Sequence, residues 1–340
     1  MMYSYCARAP FAVYADFEAM VRSIGDEHPV RGHKSVEYER QTPFSVGYTI
    51  VPSFPQFERR FKYCVWEGCV QWFLEHMLVF AGEAMKFYYD EKRLQNEYLV
   101  DRCFGTEYHC HICHKPFQSA KENVRDHDHV TGMYRGAAHR WCNIRLRRTC
   151  KIPVFFHNFR GYDSHFVSLA LNDFPGHDIK VIGKGMEKYL TLSFGKYLVF
   201  KDSLQFLGSS LQTLATNLAK GGVDQFVNLK KRFPNENDEG MRLIVRKGVY
   251  PYEYMDSFAR LQETHLPPND AFFSKLTNAG ISDEDYAHAQ LVWRHFNMTR
   301  MRDYHNLYLA SMWPIPFLSS DSIHHLSMYM IIQINNAPTL

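Results

Sequence analysis

Cys110-His111-Ile112-Cys113, then Arg125-Asp126-His127-Asp128-His129, then Arg135-Gly136-Ala137-Ala138-His139-Arg140-Trp141-Cys142-Asn143: this stretch decides how the rest of the chain is read. Cys110 and Cys113 are spaced so that two thiolates can grip one metal ion, and His139 and Cys142 repeat the spacing further on. Two such pairs make a four-ligand zinc site. Zinc saturated by these four side chains is structural, which leaves Asp126, His127, Asp128, His129 and Asn143 for other chemistry. A zinc-stapled insertion that only touches DNA would carry the same four ligands.

The stretch resembles the zinc-supported ββα-metal (HNH-like) nucleases, in particular the phage recombination endonucleases that resolve branched DNA. The resemblance implies that Asp126 and Asn143 hold Mg²⁺ or Mn²⁺ and that His127 activates water. His139 stands where that family usually has cysteine, and imidazole serves zinc equally well.

Around this centre the chain has 340 residues, 46% hydrophobic and 15% aromatic, enough for a sizeable core and more than one domain. No run of eighteen apolar residues occurs and Met1 to Pro10 lacks a signal-peptide layout, so neither membrane insertion nor secretion is expected. An intracellular protein is expected, with the nucleus a compatible compartment. Eight cysteines, three of them in the zinc set, leave an odd remainder without regular spacing, which argues against a disulfide framework. The formal charge is only +3, but Arg140, Arg145, Arg147, Arg148 and Lys151 bunch together. Such a cluster tracks phosphates or is a solvated basic face.

Outside the centre the pattern is α/β. Pro10 to Ala19 reads as a buried strand on which Asp16 and Glu18, two apart, share a face. Thr42 to Pro52 alternates as a second strand, and Cys69 to Lys86 has helical apolar spacing. Ile152 to Phe156 is a strand, followed by His157-Asn158-Phe159-Arg160-Gly161-Tyr162-Asp163 and a helix from Ser164 to Leu171. Tyr189 to Phe194 and Tyr197 to Asp202 flank Gly195-Lys196 as a hairpin. Ser210 begins a helix to Lys220, residues 223–239 read as polar loop, Ser282 caps a helix to about Asn297, and Thr299 another to Leu309.

Asp16-Phe17-Glu18, Asn158 with Tyr162-Asp163, and the late Asp303 to Leu309 resemble, in order, the three segments of the 3′–5′ exonuclease domain of family B DNA polymerases. The likeness is to the protein-primed viral, linear-plasmid and Polinton/Maverick-like branch. It implies an RNase H-like exonuclease fold with an inserted zinc ββα module. The parts would be 1–101 and 151–310 for the exonuclease, 102–150 for the insertion and 311–340 for an atypical tail. By the same resemblance Asp16, Glu18 and Asp163 hold catalytic Mg²⁺ or Mn²⁺, Tyr308 orients water, and His157, Asn158 and Tyr162 hold a DNA primer terminus. A terminal or primer protein would be a further partner.

The family's third segment ends in an aspartate four residues after the tyrosine, where this chain has Met312. A thioether is a poor ligand for Mg²⁺. The polymerase palm would lie beyond residue 340. The leading expectation is therefore the exonuclease region of a DNA polymerase, with weak turnover. The alternatives are a zinc-supported structure-selective endonuclease and an inactive DNA-binding remnant.

Overall fold

The computed structural model describes residues 9–311 except 24–38, 55, 59, 91, 120, 147–150, 186–187 and 247. Met312, the predicted tail, and Arg147 and Arg148 of the basic cluster lie outside the described residues. The alternation of Phe11, Val13, Ala15 and Phe17 builds β1 (Phe11–Ser23), which is buried on both faces and central to the architecture. It pairs antiparallel with β2 (Glu39–Pro52), which pairs antiparallel with β3 (Arg60–Val65).

Helices α1 (Cys69–Tyr89) and α2 (Glu97–Phe104) follow. A separate two-stranded sheet comes next, β4 (Asn123–His127) with β5 (Tyr134–His139), running into α3 (Arg140–Arg145). The chain then returns to the large sheet as β6 (Ile152–Phe156), parallel to β1, and β9 (Leu198–Asp202) lies beyond it, parallel to β6 and antiparallel to the strand on its other side. Pro153 is tolerated in this interior strand; the pairing with β1 begins one residue later, at Val154. α4 (Asp163–Ala170) follows β6, and the antiparallel β7 (Ile179–Gly185) and β8 (Lys188–Phe194) complete a seven-stranded mixed sheet, order β3-β2-β1-β6-β9-β8-β7.

One face of the sheet packs on α1 through edge-to-face rings, Phe17 on Phe73 at 5.5 Å and Phe11 on Phe80 at 5.8 Å. After β9 come the helices α5 (Leu204–Leu207), α6 (Leu211–Ala219), α7 (Val227–Arg232), α8 (Asp238–Val245), α9 (Asp283–His295) and α10 (Met301–Ser311). A second core joins Met20 and Phe44 to Tyr304 and Tyr308 of α10. His305 of α10, fully buried, is hydrogen-bonded on one side with Ser45 Oγ (2.9 Å) and on the other with the Tyr250 hydroxyl (2.7 Å).

The predicted cap at Ser282 is present, and Ser210 caps its helix in the same way, each side chain accepting from the backbone N–H three residues on. The 223–239 reading is corrected: α7 lies in that segment and α8 begins in it. Their apolar residues are sparse but fall on one side, where Phe226, Leu229, Met241 and Ile244 are buried, and the Asn237 side chain caps α8. α2 runs through residue 101, so the chain leaves the first part of the large sheet through a helix rather than a loop.

Candidate functional site

The zinc ligands converge because the two short elements carrying them are tied backbone to backbone. His111 N–H donates to Ala137 O (2.9 Å), clamping the Cys110–Cys113 knuckle to β5. That approach requires Gly136, whose φ is +143° and where a Cβ would sit 2.9 Å from that of His111. β5 delivers His139 to the start of α3, and Cys142 lies on the inward side of that helix.

The four ligand atoms lie within 4.8 Å of one another, the one group of three or more metal-capable side chains drawn so close among the described residues. His139 Nδ1 is 3.4 Å from Cys113 Sγ and 3.9 Å from Cys142 Sγ. A tetrahedral zinc site with ordinary bond lengths separates its donors by roughly 3.5–3.8 Å, so the residues present fit the ion. Burial opposes a charge on Cys110, but N–H groups of Cys113, His139 and Ile112 outweigh it and bring the thiol down to about 6. Burial and the neighbouring cysteines push Cys142 up to about 12, a repulsion that a bound cation reverses.

Between the pairs, Asp126 is buried, with Oδ2 bonded to His111 Nε2 (2.8 Å) and Oδ1 accepting from Arg135 Nη2 (2.8 Å). Burial works against its charge, yet these donors hold the carboxyl below its ordinary range. The His127 ring stacks on His129 at 4.5 Å. Asp128 Oδ1 accepts from the N–H groups of Val130 and Thr131, closing the turn between the strands. Asn143 sits half-buried on α3, which packs on β4 and β5.

A second convergence lies on the large sheet. Asp16 and Glu18 project from β1, and Asp163 opens α4 immediately beyond β6. Asp163 is fully buried, its Oδ1 has no hydrogen-bond partner, and its carboxyl is raised far above its usual range by burial first and then by Asp16 and Glu18. Three hard oxygen donors in mutual repulsion are a set that a divalent cation would relieve. They are nevertheless not gathered within the 4.8 Å spacing of the zinc set.

A cleft of about 220 Å³ opens here, with Asp16, His157, Gln212, Gly248, Tyr308 and Ser311 in its lining. The Tyr308 hydroxyl lies 2.9 Å from that of Tyr252, and burial followed by Glu18 raises the pKa of its phenol. His157 Nδ1 is bonded with Ser203 Oγ at 3.0 Å. Tyr162 feels all three carboxylates, after burial. Asn158 takes a left-handed conformation, φ +70°, and its N–H donates to Asp202 Oδ1 (3.0 Å).

Sequence reading missed the part played by Asp202, whose buried carboxylate also accepts from the N–H groups of Arg160 and Leu204 and so holds the loop that carries His157 and Asn158. It also missed Lys201, which burial brings down to about 8. Neither had a motif to mark it. Tyr252 likewise had no motif to mark it.

Residues 87–163, under a quarter of the chain, match the recombination endonuclease VII family. The matched stretch contains the whole cysteine–histidine cluster and the Asp126-His127 and Asn143 positions. No curated protein and no solved structure matches the chain.

Proposed function

We propose that this protein is a metal-dependent DNA nuclease in which residues 102–150 form a zinc-stapled ββα unit, inserted between the two parts of an RNase H-like platform and acting on branched or distorted DNA. The observation that carries the reading is the coincidence of the endonuclease VII match with the converged Cys110, Cys113, His139 and Cys142. Zinc held by these four is saturated and supplies rigidity. Asp126, oriented by His111 and Arg135, retains lone pairs that can share a Mg²⁺ or Mn²⁺ ion with Asn143. Such an ion would stabilise charge on the scissile phosphate. His127 accepts the proton of the attacking water, with its ring aligned by His129. Platform topology supports an RNase H-like core: an antiparallel β3-β2-β1 meander continued by the parallel β6 and β9. The test is Mg²⁺-dependent nicking of a four-way DNA junction, abolished by His127→Ala and by Asn143→Ala. Nicking that persists unchanged in both variants refutes the assignment.

A second reading, 3′–5′ exonuclease of the family B polymerase type, is favoured by the unpartnered Oδ1 of Asp163 together with Tyr308 and His157 around one cleft. There Asp16, Glu18 and Asp163 would hold the ions, Tyr308 would orient water, and His157, Asn158 and Tyr162 would hold a 3′ terminus. A terminal or primer protein belongs to this reading alone. Release of mononucleotides from 3′-labelled single-stranded DNA, lost in Asp16→Ala and retained in His127→Ala, would establish it.

A further inference from the structure

We propose that α3 carries an apolar wedge, Trp141 with Ile144, that enters an opened base step of branched DNA while Arg140 and Arg145 hold the phosphates on either side. The inference rests on the nuclease reading above and adds to it the element that senses distortion.

The helix is short and its two sides are sharply unlike. Cys142 and Leu146, one turn apart, face inward and pack with Cys110, Ile112, Phe117 and Val124. Trp141 and Ile144 face outward, 69% and 64% exposed. At 3.6 residues per turn the outward surface reads, in order around the helix, Arg140, Ile144, Trp141, Arg145. Two large apolar side chains thus stand side by side with an exposed arginine at each flank.

The charge around them selects the occupant. Residues 102–150 contain nine basic and four acidic side chains, a surplus of five in a chain whose total is only +3. All four acids accept hydrogen bonds inside the unit: Asp126 from Arg135 and with His111, Glu107 from the Tyr134 hydroxyl and the Ala137 N–H, Asp128 from the N–H groups of Val130 and Thr131, and Glu122 from the Gln118 N–H. All seven described Lys and Arg side chains of this unit are exposed. A polyanion answers that field, and an apolar partner alone would leave the arginines without complement. Among polyanions, an intact stacked duplex offers no place for an indole, whereas an unstacked step offers two base faces. The wedge shares its short helix with Asn143, so engagement of a distorted step would hold the flanking phosphates against the cysteine–histidine unit.

The experiment measures binding of the full chain, zinc-loaded and without Mg²⁺, to a fluorophore-labelled four-way junction and to a linear duplex of the same sequence. 2-Aminopurine at the branch point reports unstacking. Trp141→Ala should weaken junction binding by roughly 5- to 150-fold, the span that base–aromatic stacking commands, and abolish the 2-aminopurine rise. Linear-duplex affinity and the salt dependence of binding should stay unchanged, because no charge is removed. Trp141→Phe should restore most of the preference. Zinc content of each variant reports folding, and Ile144→Ala supplies a milder version of the same loss.

Unaltered junction affinity in zinc-loaded Trp141→Ala overturns the wedge while leaving the nuclease reading intact. An affinity loss equal on junction and duplex overturns it too. Self-association of the chain that Trp141→Ala disperses would reassign the patch to a protein interface. Failure of the wild-type chain to bind either DNA refutes the nuclease reading itself, so the two failures are distinguishable.

Discussion

His305 should make the stability of this protein fall steeply on mild acidification. The imidazole is fully buried between Ser45 and Tyr250 and lies against the Phe44 ring at 4.8 Å, and burial, with a smaller contribution from Arg302, lowers its pKa to about 3. An unfolded chain binds a proton on histidine near pH 6.5. Between those values the unfolded state holds more protons than the native one, so the contribution of His305 is complete above pH 6.5 and is lost as pH falls toward 3. The full loss is about 5 kcal/mol, comparable with the whole stability of many domains. By pH 4.5 about 2–3 kcal/mol is already gone.

His305→Gln removes the titration and keeps at best one of the two hydrogen bonds, which costs about 1–3 kcal/mol near neutrality. Urea unfolding of both proteins from pH 4.5 to 7.5 is the assay. The variant should be the less stable at pH 7.5 and should match or exceed the wild type at pH 4.5. Asp163 works in the opposite sense, since a raised carboxyl burdens the fold at neutral pH and is relieved on protonation, but it is common to both proteins and cancels in the comparison. A gap between wild type and variant that is the same at both pH values would refute the reasoning.

The zinc cluster should be needed for the hairpin–helix unit, whose own hydrophobic cluster has, among the described residues, just Cys110, Ile112 and Ala138 buried. Structural zinc contributes about 10–16 kcal/mol in comparable units. Chelation, or Cys110→Ser with Cys142→Ser, should abolish zinc stoichiometry and amide-exchange protection across residues 110–146 while β1, β2 and β6 stay protected. Asp163→Asn should stabilise the fold near pH 7, because it removes a buried carboxyl whose ionisation burial, Asp16 and Glu18 oppose, and should weaken any Mg²⁺-dependent exonuclease activity; thermal unfolding and nucleotide release read the two effects. Asp202→Ala strips the acceptor from the N–H groups of Asn158, Arg160 and Leu204 and from the Arg160 guanidinium, and should cost about 3–5 kcal/mol by denaturant unfolding.

Local chemistry was legible without coordinates wherever residues close in sequence act together. The paired Cys110–Cys113 and His139–Cys142 spacings are set by how short knuckles present donors to one ion, and the cap at Ser282 by a bond only three residues long. Strand alternation in Phe11 to Phe17 likewise declared its buried face. What the tertiary structure alone decided are encounters between distant segments. The return of β6 to β1 across the hairpin–helix unit brings Asp163 toward Asp16 and Glu18, and no local spacing records that meeting. Asp126 illustrates the same division: its place beside His127 is plain in the sequence, yet only the approach of His111 and Arg135 makes it a buried, doubly held carboxylate. His305 looks like any surface histidine of a polar helix until β2 and Tyr250 close over it and remove the water that would otherwise protonate it.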